Sequence, residues 1–268
     1  MGRITIITFQ KYVRPQSLEE AFELNQKKRN RVVGGMMWLK MGKHAIGTAI
    51  DLCDLGLDAI EETPDEFRIG AMVSLRQLEK HPGLNAYSHG AVAAALRDIV
   101  GVQFRNGATL GGSLWRRMGF SDVLCVFMAM DSYVELFQGG IVPLEQFANM
   151  PYDNDILVRL IVKKRPGAFS YQVVRRQRTD IASLNCAAGN VNGEVRVCVG
   201  SRPARAVLLR DEQGILADGV TEQSAAAFAS YAAGRVTVSG NMWGSAEYRR
   251  ALVPVLVRRA LLELGEVR

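Results

Sequence analysis

A chain of 268 residues with 48% apolar and 22% charged side chains has too much hydrophobic material for a disordered polymer and the ordinary balance of a folded one. Its length exceeds what one hydrophobic core commonly serves, so two or three packed subdomains are expected. The net charge of +6 would suit an acidic partner or a phosphate. Yet the basic residues come in short groups such as Lys27-Lys28-Arg29, Lys163-Lys164-Arg165 and Arg175-Arg176, without interleaved aromatics. That argues against nucleic-acid binding and for solvated faces or subunit contacts.

The opening run Met1-Gly2-Arg3-Ile4-Thr5-Ile6-Ile7-Thr8 is too short for the apolar core of a signal peptide. No stretch approaches the ~18 uninterrupted apolar residues of a membrane span, so a cytoplasmic protein with no membrane association is expected. Ser17 lies three residues before Glu20, a capping-box spacing that starts a helix over residues 17–28. The β-branched run Arg31-Val32-Val33 ends in the pair Gly34-Gly35, and a second short strand is expected at Ala49-Ile50-Asp51-Leu52; helix between strands makes a β-α-β unit. Farther on, the pattern predicts a strand over 67–71, a short helix from Ser74, one helix over 88–99, and strands over 133–137 and 156–162. The last hundred residues read as three strands (169–175, 194–199 and 206–209) followed by helices. The final helix runs from Ser245 as N-cap to about Leu264, with Pro254 as an awkward interior residue that implies a start or kink beside it.

Four cysteines, Cys53, Cys125, Cys186 and Cys198, stand far apart with no C-x-x-C and no Cys/His pair, so the chain encodes neither a zinc site nor an iron–sulfur cluster. An electron carrier would have to be organic or belong to a partner. His44, His81 and His89 show no metal spacing, and turn or surface roles suit the latter two. No G-x-G-x-x-G, P-loop or G-x-S-x-G occurs. What stands out is a pair of glycine loops, Val32-Val33-Gly34-Gly35-Met36-Met37-Trp38-Leu39 and Arg105-Asn106-Gly107-Ala108-Thr109-Leu110-Gly111-Gly112-Ser113. Glycine lets a backbone approach a ligand and turn its amides toward a pyrophosphate; each loop taken alone reads first as a tight turn.

These loops in order, with Ile50-Asp51-Leu52 between them, Gln103-Phe104-Arg105-Asn106 before the second and Asp122 after it, resemble the FAD-binding medium subunit of the xanthine dehydrogenase and carbon monoxide dehydrogenase family of molybdenum hydroxylases. Residues 169–181 resemble the opening of that family's C-terminal flavoprotein domain. Ser245-Ala246-Glu247-Tyr248-Arg249-Arg250 and Val257-Arg258-Arg259-Ala260-Leu261 resemble its closing helix. The resemblance implies an α+β fold: a two-part FAD-binding domain of the PCMH/vanillyl-alcohol-oxidase type over 1–58 and 59–165, then a C-terminal α+β flavoprotein domain over 166–268. It implies FAD in the cleft between the parts, with Val32, Val33, Gly34, Gly35, Met36, Met37, Trp38 and Leu39 on one side of the pyrophosphate region. Thr109, Gly111, Gly112 and Ser113 would lie on the other side. Asp122 would hydrogen-bond the polyol or ribose portion, the alternative being a surface N-cap after Ser121. Gln172 aligns with a Lys near the flavin in the eukaryotic xanthine enzymes.

The chain departs from the family where Ser113 replaces an Asn, where Met36 and Met37 replace polar residues, and at Gln172, which brings no charge to reduced flavin. Met36, Met37, Trp38 and Met41 would form either a soft wall beside the flavin or plain core filling. The implied activity is electron transfer within an oxidoreductase complex: a large partner with a molybdopterin cofactor oxidises the substrate, a small partner carries [2Fe–2S] clusters, and FAD here passes electrons to NAD+ or another acceptor. No side chain of this chain is then required as a catalytic base. Two alternatives remain at this stage: a stand-alone FAD-dependent oxidase or dehydrogenase, and a scaffold subunit without flavin.

Overall fold

The computed structural model describes residues 7–266; residues 1–6, which hold most of the opening run, and residues 267–268 lie outside the described residues. Three parallel strands form the first sheet: β1 (Thr8–Val13), β2 (Arg31–Val33) and β3 (Ala45–Asp51), in the order β1-β3-β2. Helix α1 (Leu18–Asn25) makes the crossover between β1 and β2. Its cap forms where the sequence puts it, with Ser17 Oγ accepting from the Glu20 amide at 3.2 Å. The Glu20 carboxylate reaches back one residue farther than in a standard box, accepting from the Gln16 amide at 2.8 Å. Buried Ala21, Ile50, Leu52 and Leu57 share a small core with Ile156 and Val158 of the following body.

The second body is an antiparallel sheet covered by short helices. Strands β4 (Ile60–Glu62) and β5 (Glu66–Gly70) lead into α2 (Leu75–Lys80), α3 (Pro82–Tyr87), α4 (Ala91–Leu96), α5 (Val102–Gly107), α6 (Leu110–Trp115) and α7 (Asp122–Met128). The chain then adds β6 (Ser132–Leu136), β7 (Gly140–Pro143), α8 (Leu144–Asn149) and β8 (Leu157–Lys163), and the sheet order is β4-β5-β8-β6-β7. The helix expected over 88–99 is shorter, with α4 covering only Ala91–Leu96, and α3 before it was not expected. His89 (φ 50°) and Gly90 (φ 80°) take left-handed conformations that end α3 and start α4, an arrangement cheap only for the glycine. His81, expected in a turn, caps α3 by accepting from the Leu84 amide at 3.0 Å.

The C-terminal body holds four antiparallel strands, not three: β9 (Gly167–Val174), β10 (Leu184–Val191), β11 (Glu194–Gly200) and β12 (Val207–Arg210), in the order β12-β11-β10-β9. The extra strand, β10, reads Leu-Asn-Cys-Ala-Ala-Gly-Asn-Val, a run poor in β-branched and aromatic residues. Its small side chains are needed because both faces are covered; a Cβ on Gly189 would lie 2.2 Å from the Ala129 carbonyl oxygen. One face of this sheet packs on α9 (Glu222–Arg235) and α10 (Ala246–Glu266), the other on α4 and α7. Alternation along β9 follows: Phe169, Tyr171 and Val173 join the core of the second body, while Ala168 and Val174 face the C-terminal helices. Helix α10 runs through Pro254; the lost amide donor and the ring clash of an interior proline together cost about 3 kcal/mol, offset by burial of Val253, Leu256, Val257, Ala260, Leu261 and Leu264.

Candidate functional site

The first glycine loop leaves the C-terminal end of β2, where parallel sheets commonly present ligand-binding turns. Val33 is buried, Gly34 and Gly35 follow, and Met36 takes a left-handed φ of 57°. A left-handed residue among right-handed neighbours can turn successive amides to one side, as in anion-binding nests. Among the hydrogen bonds of the described residues, the amides of Gly35, Met36, Met37 and Trp38 have no protein acceptor. The next basic residue, Lys40, places Nζ 3.8 Å from Met37 Sδ; the sequence signal for it was only its nearness to the loop.

The second loop is more helical than its glycine content suggests. Thr109 caps α6, accepting from the Gly112 amide at 3.2 Å through Oγ1, so Gly111, Gly112 and Ser113 lie inside a helical turn. Their donors are committed within the protein. Gly111 N donates to Ala71 O at 2.8 Å, and both Ser113 N (3.1 Å) and Ser113 Oγ (2.9 Å) donate to Thr109 O. What the glycines of both loops allow is mutual contact. A Cβ on Gly35 would lie 1.3 Å from the Gly107 carbonyl oxygen, one on Gly34 2.5 Å from Thr109 Oγ1, and one on Gly107 2.9 Å from Met37 Sδ. Two loops seventy residues apart in sequence thus form one seam between the first two bodies, and the unsatisfied amides belong to the first loop.

The apolar residues of the first loop divide. Met37 packs against the core of the second body, Met41 is exposed, and Trp38 leans on Phe120 with ring centroids 5.5 Å apart. Phe120 opens into a cavity of about 290 Å³ between the second and C-terminal bodies, lined also by Gly119, Ile181, Ala182, Ser201, Trp243 and Arg249. In its wall Ser201 takes a left-handed φ of 56°, as Met36 of the first loop (57°) and Arg117 (46°) do elsewhere. Such conformations cost about 1–3 kcal/mol each and collect at ligand sites, where the surroundings enforce them. Arg117 is held by its Nε bond to Phe147 O at 2.8 Å and by stacking of its guanidinium 3.9 Å from the Phe147 ring centroid. Ser201 Oγ is buried and has no hydrogen-bond partner.

Asp122 is neither a surface residue nor an N-cap. Ser121 is the cap, accepting from the Leu124 amide at 3.1 Å, and Asp122 is buried in the first turn of α7. Its Oδ1 accepts from the Tyr171 hydroxyl and from Asn185 Nδ2 at 2.8 Å, and its Oδ2 from Arg175 Nη2 at 2.8 Å. An ionised carboxylate offers about four lone-pair positions, so one remains. Burial, and then the neighbouring Asp122 charge, push the Tyr171 phenol well above its usual range. Arg175 Nη1 donates to Asp180 O at 2.7 Å, fixing the turn that leads to the cavity residues Ile181 and Ala182. Arg175 Nε and Asn185 Oδ1 are buried without partners. Sequence reasoning missed Tyr171, Arg175, Asn185 and Ser201, which carry no motif and reach Asp122 or the cavity only through the tertiary fold. Gln172 is not brought to the loops: it sits on the other face of β9 from Tyr171 and donates to Glu263 of α10 at 2.7 Å.

Among the described residues no cluster of three or more His, Cys, Asp or Glu side chains has metal-binding geometry, and no helix is long and apolar enough to cross a membrane. The model of the FAD binding domain in molybdopterin dehydrogenase matches residues 7–164, and that of the CO dehydrogenase flavoprotein C-terminal domain matches residues 169–264. The chain is 27% identical to the nicotine 6-hydroxylase medium subunit of Paenarthrobacter nicotinovorans, covering 95% of this chain and 97% of that one. With the carbon monoxide dehydrogenase medium chain of Hydrogenophaga pseudoflava it shares 25% identity, covering 93% and 95%. The fold superposes on the quinoline 2-oxidoreductase of Pseudomonas putida 86 with a TM-score of 0.84 at 19% identity, covering 97% of each chain. On the solved carbon monoxide dehydrogenase of Hydrogenophaga pseudoflava it reaches 0.85 at 22% identity, covering 97% and 98%.

Proposed function

The chain belongs to the family of FAD-binding domains of molybdopterin dehydrogenases, and from that premise we propose that it passes electrons from [2Fe–2S] clusters on a small partner through FAD to NAD+ or another acceptor. A large partner bearing the molybdopterin cofactor would oxidise the substrate, and the assembly would work in the cytoplasm. The observation that carries this reading is the seam itself: the closing of two glycine loops leaves the amides of Gly35, Met36, Met37 and Trp38 without acceptors, next to an apolar cavity. The names of two relatives, a medium subunit and a medium chain, support a place in a heteromeric enzyme.

When bound, FAD supplies reversible electron transfer that the protein's side chains lack. The residues present fit it. The four free amides and the charge of Lys40 would hold the pyrophosphate region, with Gly34 and Thr109 setting the loop spacing. At about 290 Å³ the cavity is too small for a whole dinucleotide and suits one end of it. Trp38, Phe120, Ile181 and Trp243 would exclude water around the flavin ring, and the orphaned Ser201 hydroxyl would meet its polar edge. Asp122, with its remaining lone pair, would accept from a polyol hydroxyl while Tyr171, Arg175 and Asn185 hold it in place. Gln172 would serve the fold by tying β9 to α10.

The test uses the assembled complex before and after its flavin is stripped, with electrons supplied anaerobically by photoreduction. The stripped complex is expected to keep reducible clusters and to lose transfer to NAD+ or a dye acceptor. Transfer that survives stripping overturns the reading.

A further inference from the structure

Arg249 is the largest fully buried side chain of the protein, 1% exposed, and it lies in the first turn of α10. Its Nε donates to Ser183 O (2.7 Å) and Ser201 O (3.0 Å), its Nη1 to Ser239 O (2.8 Å) and Gly244 O, and its Nη2 to Asn241 Oδ1 (2.7 Å). Every one of these acceptors is uncharged. Most other buried cations here are handled differently; Arg175 faces Asp122 and Arg105 faces Glu79 in ion pairs. Burial pushes the Arg249 pKa down and no acid offsets it, yet a guanidinium keeps its proton. Among the described residues it is also the one charged side chain lining the cavity, beside Ser201, Asn241 and Trp243.

We propose that Arg249 sets the reduction potential of the flavin: an unneutralised cation in the wall of the cavity that makes the ring end of FAD easier to reduce. This rests on the reading that FAD places its ring end there. Two-electron reduction leaves negative charge on the ring whenever it takes up fewer protons than electrons, and a fixed cation stabilises that charge most where water is excluded. The surrounding carbonyl dipoles hold the guanidinium in place and shorten the reach of its field without removing its net charge. The same bonds tie Ser201 and Asn241 of the cavity wall to residues 183, 239 and 244, so Arg249 also positions the wall that surrounds the flavin.

The experiment measures FAD content first and then the potential, by anaerobic equilibration of the flavin-loaded protein with a reference dye. Three variants are compared with the unaltered chain: Arg249→Lys keeps the charge, Arg249→Gln removes it, and Asn241→Asp neutralises it with every donor left in place. Arg249→Gln is expected to shift the equilibrium toward oxidised flavin at least tenfold, about 30 mV for a two-electron couple. Asn241→Asp shifts it the same way by less, and Arg249→Lys stays close to the unaltered protein. Should Arg249→Gln fail to fold, Asn241→Asp decides alone. Variants that hold FAD at an unchanged potential overturn the proposal and leave the flavin reading standing, whereas an unaltered chain that takes up no FAD overturns the reading beneath both.

Discussion

Gly35 is the residue with least freedom. A methyl group there would sit 1.3 Å from a backbone oxygen of Gly107, a clash that only separation of the two loops relieves. Gly35→Ala is therefore expected to weaken FAD binding at least tenfold and to cost about 1–3 kcal/mol of stability, the usual penalty of overpacking. A flavin titration and urea unfolding would show both. Gly112→Ala is the contrast: its Cβ would meet only Thr109 Oγ1, at 3.1 Å, and near-normal binding is expected. Tyr171→Phe removes a donor from the buried Asp122 carboxylate and should cost about 1–3 kcal/mol, read as a lowered urea midpoint with unchanged slope. The paired glycines were visible in the sequence itself, and Asp122 only through the family resemblance. The sequence could not show that the Gly111 and Ser113 donors are spent inside the protein, since their acceptors include Ala71, forty residues earlier. Nor could it turn Gln172 toward α10, because that depends on which face of β9 meets which helix.

At the level of elements, β5 and β8 are joined across the ladder by Glu66, paired with Lys163 in register and contacted also by Arg68. Lys163, and then Arg68, hold the Glu66 carboxyl below its ordinary value. A carboxylate with a depressed folded pKa stabilises the native state above its unfolded pKa, near 4.3, and loses that contribution as pH falls through the folded value. Glu66→Gln is expected to flatten the acid side of the stability profile below about pH 4.3 and to leave the slope near neutrality unchanged; an identical acid limb in both proteins would contradict this. Strands with strong β-branched patterning, such as β8 and β11, were legible, as were the caps at Ser17 and Ser74. Strand β10 was not, because burial on both faces selects Ala, Gly and Cys in place of residues that favour strands. The late start of α4 was hidden because His89 is an ordinary residue held in a left-handed conformation.

Across the whole molecule, the C-terminal sheet is wedged between two sets of helices. Phe169, Tyr171, Ala187 and Cys198 of that sheet share a core with Leu124 and Phe127 of α7, while Leu184, Cys186 and Val197 pack on Phe228 and Leu261 of the closing helices. The Asp122–Arg175 pair, both side chains 7% exposed, crosses this boundary. Losing one partner of such a pair typically costs about 3–5 kcal/mol, so Arg175→Ala is expected to loosen the C-terminal body and the cavity together. The joint core of the second and C-terminal bodies could not be read from the sequence, because each strand's two faces are assigned only when both neighbours are in place. The binding of FAD by this chain underlies its proposed role, and the absorption spectrum of the purified protein, followed by acid release of any cofactor, tests it most directly. Bands near ~370 and ~450 nm, the flavin signature that a protein only tunes, with FAD recovered at one per chain, are the expected result, and a colourless protein that also fails to take up added FAD would contradict it.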